Sequence, residues 1–254
     1  MRAAKSLPTA QVTASYLLAG CVLVNGRQHS ESASPRPGYD LPSDGKLENP
    51  VPRAGLTGDW GGLRTRLVDR GISPYAVFAA EVFSNVDGGF RSGTSSPGLL
   101  DFGVGMDLEK LIGWKGAGFT ATAFAAYGDD GSAKYIGDFN VASNLFSATD
   151  FNLFNLFFSQ TFADESVFLK VGQIAADDDF MGSDTAGLFL NSAFGPLPTE
   201  SGNVAAPIFP LTAPGAFIRI TPSETFSFHT GIYAGDSGPS QSGNHGFDWR
   251  TGGT

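Results

Sequence analysis

Three consecutive carboxylates, Asp177-Asp178-Asp179, form the longest acidic run in the sequence. Clustered carboxylates suit a hard cation such as calcium, but the spacing of an EF-hand loop is absent. In a strand only Asp177 and Asp179 would point to the same side. These acids are therefore expected as a solvated strand end or as charge facing an interior channel, with no metal bound. Asp129 and Asp130 sit in a Gly-flanked turn near Lys134 and Tyr135. They fit either a constriction that hydrogen-bonds a passing solute or an exposed loop tip, and the sequence leaves both open.

Reactive constellations are scarce. There is no GxSxG elbow and no HExxH, and the only histidines are His29, His229 and His245. His29 falls in the N-terminal leader, so a histidine site would rest on the other two. Carboxylate pairs for glycoside hydrolysis meet only in space, and sequence does not locate them. The remaining polar candidates are Asp101, Asp107, Lys170, Arg219, His229 and Tyr233, each alternating with apolar neighbours. That arrangement suits hydrogen bonding along a polar wall better than bond cleavage, so no enzyme and no cofactor are expected.

The elements that must position these residues follow from periodicity. Leu100, Phe102, Val104, Met106 and Leu108 fall on one face of an extended segment, with Asp101, Gly103, Gly105 and Asp107 on the other. Val167, Leu169 and Val171 alternate with Phe168, Lys170 and Gly172 in the same way. So do Ala216, Ile218 and Ile220 with Phe217, Arg219 and Thr221, and Phe226, Phe228 and Ile232 with Ser227, His229 and Tyr233. Residues 75–83, 118–127 and 153–162 are strand-like with less cleanly divided faces. Turn chemistry separates them at Asp87-Gly88-Gly89, Gly128-Asp129-Asp130-Gly131 and Asp236-Ser237-Gly238-Pro239. Some intervals are short and others long, notably 176–214, as in a transmembrane barrel with tight turns on one rim and long loops on the other. Alternation alone, however, also fits a soluble sandwich.

Composition agrees with many strands and turns. Glycine (34) and phenylalanine (22) are abundant, and charged residues make up only 16% of 254. The mean hydropathy of −0.03 is too polar for a helical membrane protein but suits a barrel that hides its apolar band by alternation. A net charge of −9 gives no basic footprint for nucleic acid.

Residues 1–24 have the form of a secretory signal, with Arg2 and Lys5 ahead of an uncharged apolar stretch from Val12 to Val24. Leu18-Ala19-Gly20-Cys21 also matches a lipobox, which would make Cys21 a lipid attachment site; an ordinary cleaved signal is the alternative. Cys21 is the only cysteine, so the body has no internal disulfide. Residues 25–55, rich in Ser, Pro and Gly, are expected as a disordered leader, and 56–254 as the folded domain. A short helix opens that domain. Asp59 is its expected N-cap, Trp60, Leu63 and Leu67 share a face, Arg64, Arg66 and Arg70 point elsewhere, and Gly71 ends it.

The segment Gly55-Leu56-Thr57-Gly58-Asp59-Trp60-Gly61-Gly62-Leu63-Arg64-Thr65-Arg66-Leu67, ending at Asp69-Arg70-Gly71-Ile72, resembles the start of the carbohydrate-selective porins of the OprB family. Asp107 to Gly116, Val171-Gly172-Gln173 with Asp177-Asp178-Asp179-Phe180, Gly231-Ile232-Tyr233 and His245-Gly246-Phe247 are similar to later family segments. The resemblance implies an all-β, antiparallel transmembrane barrel of about sixteen strands in the outer membrane, behind a periplasmic helix. At roughly 9–11 residues per strand, residues 72–254 hold about eight or nine strands, so an N-terminal portion, about half of such a barrel, is expected. It further implies export through the periplasm, lipid contact, a candidate homo-oligomer, and passive diffusion of mono- or oligosaccharides past the polar wall. A general ion-preferring porin and a secreted carbohydrate-binding β-sandwich are the alternatives.

Overall fold

A computed structural model describes residues 57–147, 151–181, 189–194, 206–223, 225–238 and 245–247, with the backbone of 17–23. The leader expected at 25–55 lies outside these residues, apart from which the chain folds around one large antiparallel sheet. Eight strands pair in the order β1-β10-β9-β8-β7-β6-β5-β2. They are β1 (Leu17–Leu23), β2 (Ile72–Ala80), β5 (Gly98–Asp107), β6 (Ala117–Tyr127), β7 (Phe151–Phe162), β8 (Val167–Ile174), β9 (Ala213–Ser223) and β10 (Phe226–Tyr233). A separate hairpin, β3 (Phe83–Asn85) with β4 (Gly93–Ser95), lies in the connection between β2 and β5. The large sheet is not closed over the described residues, and its edges are β1 and β2.

Directly paired residues share a face of the sheet, so the register sorts the side chains. One face carries Phe78, Leu100, Ala125 and Phe151 in one row and Val104, Ala121 and Leu156 in another. Leu169 with Ile218, and Ile220 with Phe228, extend it across the later strands. This apolar face is open: Phe78 is 63%, Val171 45% and Ile232 51% exposed. The opposite face presents Tyr75, Asp101, Thr120, Thr122, Asn155, Ser159, Lys170, Arg219 and His229, together with glycines. Most of it is buried.

The connections divide by end. Residues 108–116, 163–166 and 224–225 join strands on one rim; 81–97, 128–150 and 175–212 join them on the other. On the short-turn rim, α2 (Leu108–Ile112) is capped by Asp107, whose Oδ1 accepts from Glu109 N (3.0 Å) and Lys110 N (3.1 Å). Leu108, expected as the end of the strand, thus begins this helix.

The N-terminal helix also departs from expectation in its details. A 3-10 turn at Trp60–Gly62 is kinked from α1 (Leu63–Asp69) by left-handed Gly61 and Gly62. Asp59 therefore does not cap the first turn. Its Oδ1 instead accepts from the backbone N–H (2.9 Å) and hydroxyl (2.8 Å) of Thr65, one turn later. Trp60 and Leu63, expected on one face of the helix, are each 46% exposed. Gly71, at φ +89, ends the helix as anticipated, and its carbonyl accepts from Asp107 N at 2.8 Å.

Residues 17–23, expected within a secretory signal, run antiparallel to β10, with Cys21 opposite Phe228 in the register.

The two bonds from Thr65 hold the Asp59 carboxyl below the usual carboxylate range. A depressed folded value means that this link is complete at neutral pH and is lost as pH falls through that value. An NMR titration of the Asp59 carboxyl is expected to show a lowered midpoint, and Thr65→Val is expected to return it toward that of a free aspartate. An unchanged midpoint in the variant would show that Thr65 does not set it.

Candidate functional site

The inner face is shaped by a short helical turn, α3 (Asp177–Phe180), that follows β8 and folds back over the sheet. This corrects the expected solvated strand end: Asp177 is 1% and Asp179 5% exposed. Helical geometry gives the three aspartates three different surroundings. Asp177 Oδ2 accepts from Phe209 N at 3.2 Å. Asp179 Oδ1 accepts from Lys170 Nζ at 2.6 Å, and its Oδ2 from the Tyr233 hydroxyl at 3.0 Å. Asp178 is half-buried and accepts from Asn155 Nδ2 at 3.1 Å.

Lys170 and Tyr233 reach this point because β8, β9 and β10 project them from the same face. The Lys170 ammonium also lies 5.1 Å from the Phe157 ring centre and 5.6 Å from that of Phe217. The Tyr233 ring passes over two glycines. A Cβ at Gly231 would come within 2.7 Å of it, and one at Gly215 within 2.9 Å. Phe180 then packs edge-on against Phe217 and Tyr233.

The strand beneath is bent to fit. Between Thr122–Asn155 and Ala123–Leu153 the β6–β7 register skips Phe154, a β-bulge. Gln173 Nε2 donates to the bulge carbonyls Leu153 O (2.9 Å) and Phe154 O (3.3 Å), and to Thr212 Oγ1 (2.8 Å). Beside it, Phe154 joins Leu99, Phe124, Leu145 and Ala175 in an apolar cluster under the long loops.

The expected polar-wall residues fall as follows. Asp101, Lys170, Arg219, His229 and Tyr233 all lie on the inner face. Asp101 Oδ1 accepts from the Tyr75 hydroxyl at 3.0 Å. The Arg219 guanidinium lies 5.0 Å from the Phe168 ring centre, and His229 Nε2 is 2.8 Å from Ser227 Oγ. Asp107 shares their face but serves as the α2 cap at the rim. Asp129 and Asp130 lie outside the sheet, in the long-loop connection between β6 and β7. There Asp129 pairs with Lys134 at 2.8 Å, holding its carboxyl below and the ammonium above their ordinary ranges, and Asp130 Oδ1 accepts from Ala133 N. On α1, Arg64 lies 5.8 Å from the Trp60 ring centre, and Arg66 and Arg70 are exposed. Sequence reasoning passed over Tyr75, Asn155 and Gln173. Two asparagines, Asn152 and Asn155, amid the Leu and Phe of β7 were the available signal.

The sheet thus has one exposed apolar face and one largely polar inner face that also carries buried aromatic residues. Residues 92–254 match the model of the carbohydrate-selective porins, OprB family. The chain belongs to that family. It is 31% identical to Porin B of Pseudomonas aeruginosa over 134 residues, which cover 49% of this chain and 29% of that protein. It is 28% identical to QuiX of Acinetobacter baylyi over 141 residues, 52% of this chain and 32% of that one. The high-pH structure of Pseudomonas putida OprB superposes with a TM-score of 0.70 at 23% identity, covering 78% of this chain and 49% of that one, which supports the fold. The chain thus spans less than a third of these curated relatives and about half of the solved OprB.

Removing one partner of a buried ion pair strands the other charge, at a cost of about 3–5 kcal/mol. Lys170→Met is therefore expected to lower stability by that order and to open residues 175–181 to protease. Lys170→Met combined with Asp179→Leu should recover most of the loss in urea titrations of the folded protein. Equal destabilisation by the single and double variants would contradict the clasp.

Proposed function

We propose that this OprB-family chain forms wall and constriction of an outer-membrane channel through which neutral mono- or oligosaccharides diffuse passively. The observation that carries the reading is the two-faced register: an exposed apolar face suited to lipid, and an inner face of amide, hydroxyl and charged groups. Aromatic side chains lie toward both rims of the apolar face, Trp114 with Phe158 at the short turns and Phe78 stacked on Tyr127 at the long loops. Such rings favour a membrane–water boundary. The short-turn rim, with α1, is then periplasmic. Export through the periplasm follows from this placement, and the reading assigns no reaction or cofactor to the chain.

Mixed charge along the wall gives a neutral solute hydrogen-bond partners without strongly opposing one class of ion. A general porin is the second reading, favoured by the same Arg219 and Asp101. The sandwich alternative needs a second sheet over the apolar face, and among the described residues none covers it.

Two measurements test the reading. Ile218 sits amid the apolar face, so Ile218→Lys is expected to weaken insertion into lipid vesicles by about 2–4 kcal/mol; an unaltered yield of inserted protein would remove the lipid face. Liposomes holding the full-length protein should swell faster in glucose than in an amino acid of similar size. Equal rates would leave a pore without sugar preference.

A further inference from the structure

One row of the inner wall carries polar side chains on either side of a single glycine. Asn155, Thr122, Gly103 and Tyr75 are successive partners across β7, β6, β5 and β2. They lie side by side over about 14 Å, at about 4.8 Å per strand. The row is fixed at several points. The Asn155 backbone N–H donates to Thr122 Oγ1 at 3.1 Å, and the Tyr75 hydroxyl donates to Asp101 Oδ1. Gly103 keeps the floor low: a Cβ there would stand 2.6 Å from Ala121 O and 2.9 Å from the Tyr75 ring. At the other end the Asn155 side chain donates to Asp178, the one half-buried carboxylate of the inward turn.

Asn155 is only 6% exposed, yet its Oδ1 has no hydrogen-bond donor among the described residues. An unsatisfied buried amide oxygen is costly, and an O–H that reaches it relieves that cost. Hydroxyls of a neutral sugar supply such donors on adjacent carbons, and a carboxylate accepts from two of them at once. Hydrogen bonds exchanged with water make weak, reversible contacts, as diffusion through a pore requires.

We propose that the row from Tyr75 to Asp178 is a shelf for the hydroxyls of a neutral sugar, with Asp178 the specificity-determining carboxylate and Asn155 its positioning residue. The proposal rests on the sugar-passing reading above. Planar bilayers holding the full-length protein test it, with glucose titrated against the KCl current to give a half-blocking concentration. Asp178→Asn keeps the shape but gives up charge-assisted acceptance, the stronger kind. It is expected to raise the half-blocking concentration about tenfold, equivalent to about 1.4 kcal/mol. Tyr75→Phe, which removes only a hydroxyl, is expected to raise it about threefold, and decides the matter if Asp178→Asn yields no folded channels. Unchanged half-blocking concentrations in the variants, beside saturable block in the parent, would overturn the shelf alone. A parent channel that glucose never blocks would overturn the sugar reading and the shelf with it.

Discussion

The arrangement of this sheet depends on the antiparallel register carried from β2 through to β10, which shifts only at the Phe154 bulge and between Phe226 and Phe228. Side chains alternate with a period of two, so a slip of one residue between any two strands would exchange the faces of every strand beyond it. Such a slip after β6 would turn Lys170 and Arg219 outward and bring Val171 and Ile218 inside. The apolar residues of the outer face oppose this, because each row places them beside others of their kind, as Leu169 beside Ile218. The short turns limit it further, since a connection of two or four residues leaves little slack for an alternative pairing. Backbone hydrogen bonds hold the sheet, but the side-chain pattern selects which set forms.

That pattern explains what was legible from sequence. The strand at 98–107 announced itself because leucine, phenylalanine, valine and methionine alternate there with aspartate and glycine. Lys170, Arg219 and His229 could be placed on the inner face by parity alone. Parity could not separate Asp101 from Asp107, which share a face although one meets a tyrosine and the other caps a helix. Nor could it reveal α3, since three aspartates carry the same alternation signal in a strand as in a helical turn. What decides their conformation is Lys170 and Tyr233, the latter 54 residues away from Asp179. The relation is tertiary, and no local period encodes it.

The mixed faces of β6 and β7 have a related cause. An inner wall facing only water would be polar throughout, but here Phe124, Phe154, Phe168 and Phe217 lie on it and are nearly inaccessible. Phe209 of the long connection packs on Phe124 and Phe154, Phe180 of α3 packs on Phe217, and Arg219 lies over Phe168, so part of the inner face is protein core. The bulge at Phe154 lets both kinds of residue share β7: it adds a residue to the strand, putting Phe154 in the apolar cluster and Asn155 beside Asp178. An extra residue leaves carbonyls without ladder partners, and the Gln173 amide supplies their donors. A side chain on β8 thereby fixes the polar row on β7.

The clasp at Asp179 follows a different logic from the apolar packing around it. Taking an ammonium and a carboxylate out of water costs several kcal/mol each, and their attraction roughly offsets that cost, so a hydrophobic pair of similar volume would hold the loop about as firmly. What the ion pair adds is a single geometry. An apolar turn could slide along Phe157 and Phe217 with little penalty, because dispersion is non-directional. Lys170 and Tyr233 instead grip different oxygens of one carboxylate from different strands, which leaves Asp179 one position. Fixing Asp179 fixes the turn, and so the direction in which Asp178 faces the polar row. In a pore wall, where the width of the opening depends on where a loop stops, directional bonds at the anchor matter more than their net energy.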